Sequence, residues 1–464
     1  MGYNCDSARL RQQISQVYSY SFMSLPRRSS IRQWLRPGIH IKRWILLLIA
    51  GILTVIVSIE FLLIDVLRGQ TTGWLVELGT ARPVFAVLGA LAGVGLTVAA
   101  LFRLNQSLLS PFMDGKAKSL LYELEAHHAR KDGPKIVAIG GGTGLSTLLR
   151  GLKEYTSNIA AIVTVADDGG SSGRLRQEFG VLPPGDFRQC IAALAEDEAL
   201  TTALFQYRFS EGESLKGHAF GNLFIVAMAG VTGNFETALL ESGRVLAIRG
   251  RILPSTLTPV TLCADLRDGT ALQREVGESA IGHSQLPIER VHLEPDAPPA
   301  YPEAVRAILE ADLILVGPGS LYTSVLPNLL VPGIAQALRH SRAPKMYIAN
   351  VATQLGETLG YSLHDHMQAI ERHIGRNVFT HMLVNNNLAP SLPGGYSIKL
   401  LAPDDTAHGY KAVSADVIDN LKPWRHDSRK LAKAIEQFIS AAHAQQPSAV
   451  SRQPAPVRSQ SQEI

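Results

Sequence analysis

The residues of this chain that could do chemistry sit in short polar loops behind apolar runs. Gly140, Gly141, Gly142, Thr143 and Gly144 follow the mostly apolar residues 135–139. Successive glycines leave the backbone unshielded and let it turn sharply. A helix continuing over 145–155 would aim its unpaired first amides, and the positive end of its dipole, at whatever lies over the glycines. An anionic phosphate is the natural occupant. Asp167 and Asp168 close the next apolar run, within Val165-Ala-Asp-Asp-Gly-Gly-Ser-Ser-Gly-Arg174, where an acidic residue commonly meets a ribose hydroxyl. The adjacent acidic pair equally suits Mg²⁺, and a bare strand-to-helix turn would use the same glycines.

Two standard phosphate motifs fail here. Counted from Gly140 the sixth position is Leu145, and counted from Gly142 it is Thr147, so no G-x-G-x-x-G is present. No Lys stands where a Walker loop requires one. The loop therefore predicts a nucleotide or nucleotide-sugar ligand without choosing between them.

Further loops carry small or polar residues. Pro183-Pro-Gly-Asp-Phe-Arg188 offers Asp186 and Arg188 ahead of a helix over 189–195, with Asp186 as ligand contact or helix N-cap. Asn222 ends Gly217-His-Ala-Phe-Gly-Asn222 before an apolar helix over 223–229, again as cap or ligand contact. Gly317-Pro-Gly-Ser-Leu-Tyr-Thr-Ser324 is a second glycine loop: Gly317, Gly319 and Ser320 suit phosphate oxygens, and Tyr322 is a candidate to stack on a base or sugar. Asn350 and Thr353, with Gln354 and Glu357, lie in a third loop. His364 and His366 flank Asp365, but residues two apart on a helix face away from each other, which argues against a metal pair. Spacing assembles no Ser-His-Asp or Cys-His site, and no general base is evident.

Positioning these loops requires alternating strands and helices, hence an α/β domain with a parallel sheet covered on both faces and ligands at the carboxyl ends of the strands. The expected strands are 135–139, 159–165, 314–316, 345–350 and 382–385, with 254–266 and 291–293 forming an added antiparallel piece.

The chain has 464 residues, 46% of them hydrophobic and 18% charged, more apolar than an ordinary globular enzyme. The excess is local. Residues 44–64 and 83–102 are apolar runs close to the ~30 Å a helix needs to cross a bilayer, and Gly89, Gly93 and Gly95 favour close helix packing. About forty polar residues precede the first run, which argues against a cleaved signal. Arg27, Arg28, Arg32, Arg36, Lys42 and Arg43 precede it, whereas 68–82 carry only Arg68, Arg82 and Glu77. Arg103, Lys116, Lys118, Arg130 and Lys131 follow the second run. That bias predicts a multi-pass membrane protein with both termini and the main domain cytoplasmic. Three cysteines without a C-x-x-C pair indicate neither a disulfide framework nor a thiolate zinc cluster. A net charge of +4 without aromatic-interleaved basic stripes gives no support for nucleic-acid binding. Residues 104–133 read as a juxtamembrane connector, and 441–464, rich in Gln, Ser and Pro, as a disordered tail.

The ordered set of the 140–144, 165–174, 184–188, 217–222, 317–324 and 350–361 motifs resembles the YvcK-type gluconeogenesis factor family over about 134–431. That family shares a superfamily with CofD, the 2-phospho-L-lactate transferase of deazaflavin cofactor biosynthesis. The resemblance implies a modified Rossmann-like parallel sheet over 134–440; the basic arm (1–43) and the transmembrane hairpin (44–103) ahead of it are read from charge and hydropathy and lie outside the resemblance. It implies binding of a UDP-sugar such as UDP-N-acetylglucosamine, and a need for the protein in cell shape and envelope synthesis during gluconeogenic growth. Gly141, Gly142, Thr143, Gly144, Asp167, Asp168, Asn222 and the 317–320 loop match positions expected around the nucleotide sugar. Envelope-synthesis proteins and a second copy of the chain are the implied partners. The implied alternative is a transferase of the 2-phospho-L-lactate type, using a nucleotide-diphosphate-activated donor with Mg²⁺ on Asp167 or Asp168. The family's common members lack the membrane hairpin.

Overall fold

The computed structural model describes residues 41–67, 81–109, 130–196, 198–268, 271–284, 286–392, 398–403 and 410–444. The chain divides into two compact units, 1–123 and 124–464.

In the first unit, α1 (Ile41–Leu67) and α2 (Ala81–Leu109) each extend beyond the expected runs. The segments Arg43–Phe61 and Val84–Asn105 are long and apolar enough to cross a membrane. Their contact is made by small residues: a Cβ on Gly93 would lie 2.9 Å from the Gly51 carbonyl oxygen, and one on Gly89 would lie 2.6 Å from Ser58 Oγ. Gly95 faces nothing within 4 Å, because two residues on from Gly93 is another face of the helix. The hydroxyls of Thr54, Ser58 and Thr97 donate to carbonyls four residues back, which keeps them paired in an apolar surrounding. Leu46, Leu53, Phe85 and Leu91 point outward, exposed.

The second unit opens with β1 (Ile136–Gly140), α3 (Gly142–Leu152) and β2 (Ile159–Val163), a parallel βαβ start to the sheet's core in which every strand residue is buried. Five helices follow: α4 (Gly170–Phe179), α5 (Gly185–Leu194), α6 (Glu198–Gln206), α7 (Phe220–Thr232) and α8 (Phe235–Val245). Then come β3 (Arg251–Pro254), the hairpin β4 (Thr261–Asp268) and β5 (Ala271–Val276), short helix α9 (Glu278–Gly282) and β6 (Ile288–Glu294). The chain continues with α10 (Pro302–Leu309), β7 (Leu313–Val316), a π-helical turn (Leu321–Val325), α11 (Leu326–Leu329), α12 (Pro332–His340) and β8 (Lys345–Ile348). It closes with α13 (Leu363–Ile374), β9 (His381–Asn385), β10 (Lys411–Ala415) and α14 (Ser428–Ala444).

The main sheet has seven strands in the order β10-β9-β8-β7-β1-β2-β3, all paired in parallel. Continuous apolar runs such as Ile136-Val-Ala-Ile139 suit strands covered on both faces. A second sheet, β5-β4-β6, is antiparallel. It buries Leu262, Ala264, Leu266, Val291 and Leu293 on one face, which is the alternation expected of a sheet packed on one side only.

Several boundaries differ from the sequence expectation. The expected antiparallel piece over 254–266 splits: Arg251–Pro254 is a parallel edge strand of the main sheet, and only β4 is antiparallel. Strand β10 carries the largely exposed Lys411-Ala-Val-Ser-Ala415, too weak an apolar pattern to mark an edge strand. Helix α5 begins four residues before 189 and α7 three before 223, so Asp186 and Asn222 lie inside first turns rather than at caps. Residues 1–40 of the arm, 110–129 of the connector and 445–464 of the tail lie outside the described residues.

Candidate functional site

The loop after β1 turns on Gly142, whose φ of +57° is left-handed and suits glycine. It touches the loop after β7 directly. A Cβ on Gly144 would collide with the Pro318 carbonyl, so only glycine lets the two backbones meet. Since β1 and β7 are neighbours in the sheet, both loops lie at the carboxyl edge where ligands bind in such folds.

The third loop locks onto the second. Asn350 Nδ2 donates to the Gly319 carbonyl (2.9 Å) and to Gln354 Oε1 (3.1 Å), its Oδ1 accepts from the Gly319 amide (3.2 Å), and Gln354 Nε2 donates to Ser320 Oγ (3.0 Å). Asn328 Nδ2 ties the floor together by donating to the carbonyls of Gly140 (3.0 Å) and Ser324 (2.8 Å). The three loops enclose a cleft of about 440 Å³ whose walls include Gly142, Thr143, Gly144, Ser320, Asn350 and Thr353. Thr353 is held by the 398–400 segment, its Oγ1 accepting from the Lys399 amide (2.9 Å). Trp424, Arg425 and His426 line the cleft as well. A smaller hollow of about 130 Å³ shares Thr143, Thr147 and Arg425 with the cleft and adds Arg150 and Arg188. The first-turn residues Thr143 and Gly144, hydroxyl-bearing side chains and the arginines of the two hollows thus supply donors of the kind a diphosphate takes.

Behind the glycine loop lies a second, acidic region. Asp186, in the first turn of α5, accepts from the Gly142 amide, and a Cβ on Gly141 would strike its Oδ2. Asp167 Oδ1 accepts from the Gly169 amide (2.9 Å) and Asp168 Oδ1 from the Ser279 amide (3.0 Å). Glu278, at the start of α9, joins them electrostatically. Burial first, then the Asp167 charge, pushes the Asp186 carboxyl up to about 7 against the pull of the Gly142 amide and Arg188. Burial and the surrounding carboxylates hold Glu278 well above the ordinary range, and burial raises Asp167. Arg176 and Arg188 are lowered by their own burial, with Arg208 adding to the effect on Arg188. Three buried polar atoms here, Glu278 Oε2, Asn222 Oδ1 and Arg188 Nε, have no hydrogen-bond partner among the described residues. Unsatisfied buried groups are uncommon in proteins and point to a missing ligand, ion or water. No three of the four carboxylates bring oxygens within 4.8 Å of one another, and Asp167 and Asp168 point to different loops. A Mg²⁺ ion there would have one or two protein carboxylates and take its other ligands from water or phosphate, which is an ordinary magnesium set.

The cleft takes in Gly141, Gly142, Thr143, Gly144, Gly319, Ser320, Asn350 and Thr353 of the expected residues. Gly317 supports it from the end of β7 with a φ of +82°. Asp167, Asp168 and Asp186 form the acidic region instead. Asn222 lines neither wall: its Nδ2 donates to Ser171 Oγ (3.1 Å), which also meets His218 Nδ1 (3.0 Å). Tyr322 does not face the cleft. Its ring is fully buried, its hydroxyl meets that of Tyr361 (2.8 Å) and its amide donates to Glu357 (2.9 Å); the π-helical turn rotates the ring into the core. Burial and Tyr361 push its phenol far above the ordinary range. Among the described residues, the large aromatic side chain on the cleft is Trp424. Neither it nor Arg425 has a local motif, because both sit in irregular chain between β10 and α14; the scarcity of tryptophan, four in the chain, is the one signal available. His366 is buried with Nδ1 against the Ser362 carbonyl (2.8 Å), and Asp365 completes the capping box of α13.

Residues 136–431 match the family model described as 2-phospho-L-lactate transferase CofD. A Bacillus subtilis protein described as gluconeogenesis factor is 46% identical over 314 residues, which cover 66% of this chain and 98% of that protein. The chain belongs to the gluconeogenesis-factor (YvcK) family of CofD-like proteins. Among the family's solved structures, one from Bacillus halodurans, described as a member of the UPF0052 family, is 42% identical with a TM-score of 0.61, and the match spans 66% of this chain and 99% of that one. A Nostoc relative is 45% identical over 435 residues, 89% of this chain and 93% of its own. That share reaches back past residue 133, so the match takes in part of the N-terminal unit.

Proposed function

We propose that the protein is a UDP-sugar-binding regulator, UDP-N-acetylglucosamine being the expected ligand, and that ligand occupancy alters its contacts with envelope-synthesis proteins or with a second copy of the chain during gluconeogenic growth. The observation that carries this reading is the 440 Å³ cleft, whose lining brings together the glycine loop after β1, Thr143, Ser320, Arg425 and Trp424. Amides and a guanidinium suit a diphosphate, and an indole suits a uracil ring. A ligand that binds one conformation better shifts the population towards it, so no turnover is needed. Isothermal calorimetry with UDP-N-acetylglucosamine, UDP-glucose, GDP and NAD, with and without Mg²⁺, tests the proposal when each mixture is also examined for product by mass spectrometry. UDP-sugar binding without product supports it. GDP-selective, magnesium-dependent binding or any new product overturns it in favour of a phospholactyl-type transferase, the reading that the unpartnered Glu278 carboxylate and the raised Asp186 favour.

The two apolar N-terminal helices support a multi-pass membrane location, and the flanking cations support cytoplasmic termini and a cytoplasmic main domain. Fractionating cells that express a chain beginning at residue 133 tests the tether: the shortened protein is expected in the soluble fraction, and unchanged membrane association contradicts it.

A further inference from the structure

The antiparallel sheet β5-β4-β6 has a polar face as well as its buried one. In its register Cys263 stands directly opposite His292, and Thr261 opposite Glu294. His292 and Glu294 are two residues apart on one strand, so Cys263, His292 and Glu294 share that face. Their Sγ, ring nitrogen and carboxylate oxygen all lie within 4.8 Å of one another. We propose that these three side chains form a transition-metal site selective for Zn²⁺, apart from the glycine-loop cleft.

The donor set carries the proposal. A thiolate, an imidazole and a carboxylate are the three protein ligands of zinc, and three of them leave a fourth position for water. Soft sulfur beside nitrogen disfavours Mg²⁺ and Ca²⁺, which take oxygen ligands. Zinc–sulfur and zinc–nitrogen bonds of about 2.3 and 2.0 Å set donors about 3.5 Å apart, so the present cluster needs to contract by no more than about 1.3 Å, within reach of side-chain rotation. Cys263 is also out of place as a core thiol. It stands on the polar face, yet it is fully buried there beneath its polar neighbours.

A cation already occupies this neighbourhood. Arg274 of β5 donates from Nη2 to Cys263 Sγ (3.4 Å) and pairs through the same atom with Glu294, so the guanidinium bridges two of the proposed ligands. A divalent ion would replace it. Zinc binding converts the Cys263 thiol to a thiolate and releases its proton to solvent, and the displaced guanidinium has Asp265 directly opposite it across the β4–β5 pair. The metal would then join β4 to β6 by side chains at a level where β5 now supplies the clamp.

Titration of the full-length chain in detergent micelles, stripped with chelator and free of a histidine tag, tests this with Zn²⁺ and Co²⁺. One equivalent is expected, with a thiolate-to-cobalt charge-transfer band and the visible spectrum of tetrahedral cobalt. Cys263→Ser should abolish the band and weaken Zn²⁺ by at least about 100-fold, beyond the loss seen when only a supporting residue is removed. His292→Gln and Glu294→Gln should each weaken it by at least about 10-fold. Cys5→Ser and Cys190→Ser should leave it unchanged, and Arg274→Ala should tighten it. Thermal melting without metal shows that each variant folds, and the wild-type cobalt spectrum depends on no variant. Absence of a sulfur-to-cobalt band in the wild type, or its persistence in Cys263→Ser, overturns the assignment.

Discussion

The two sides of the glycine loop differ in charge and in access, although a single turn of backbone separates them. On the outer side Gly142 to Gly144 open onto a cleft with hydroxyls, amides and Arg425. On the inner side the same loop packs on Asp186, which bonds to the Gly142 amide and forms one electrostatic group with Asp167, Asp168 and Glu278. The outer side can receive an anion as it stands. The inner side repels one unless its carboxyls are protonated or a cation is present, since like charges in low dielectric raise each other's pKa. The contrast separates binding from chemistry: the cleft suffices for a sensor, whereas a transferase would have to recruit the acidic side.

The largest effect is expected where both sides depend on one atom's width. Gly144→Ala places a methyl group against the Pro318 carbonyl, and backbone cannot swing away. It should lower stability by about 1–3 kcal/mol and weaken UDP-sugar binding by about 100-fold, equivalent to about 3 kcal/mol, measurable by denaturant unfolding and calorimetry.

Asp186→Asn probes the inner side alone. The folded-state pKa of about 7 lies above the model-peptide 3.8, so the wild type binds more protons folded than unfolded between those values, and its stability falls as pH rises through that window. The penalty amounts to at most about 4 kcal/mol at pH 8. The variant should therefore unfold at higher denaturant than wild type at pH 8 and match it near pH 4, while UDP-sugar affinity changes little. A large loss of affinity would place the ligand on the acidic side.

Arg425→Ala removes the cleft's guanidinium and should weaken binding by about 10–100-fold, the worth of a charge-assisted hydrogen bond, with no change in the pH profile of stability. Trp424→Ala should cost about 10-fold in affinity through lost stacking. Tyr322→Phe loses only the hydroxyl contact with Tyr361; about 1 kcal/mol of stability should go and affinity should stay.

The same comparison explains what could be read from sequence. The outer loops were legible because their backbone demands are local: Gly142 needs a positive φ, and Gly144 a contact that any Cβ would block. The parallel sheet was legible from apolar runs ending in Gly, Asp or Asn. Tyr322 was misread because the sense of the turn after Ser320 decides where its ring points, and a π-helical turn has no sequence signature of its own. Trp424 and Arg425 reach the cleft only through tertiary folding of irregular chain. The acidic region was visible as separate residues, Asp167, Asp168 and Asp186, but their convergence with Glu278 depends on the β4–β5 hairpin delivering α9 to Asp168.

The most direct test is a crystal structure of the protein with UDP-N-acetylglucosamine. The account predicts the diphosphate against the amides of Thr143 and Gly144 and the 318–320 loop, with uracil beside Trp424 and the carboxyls of Asp186 and Glu278 untouched. A diphosphate bridged by metal to Asp167 or Asp168 would contradict it.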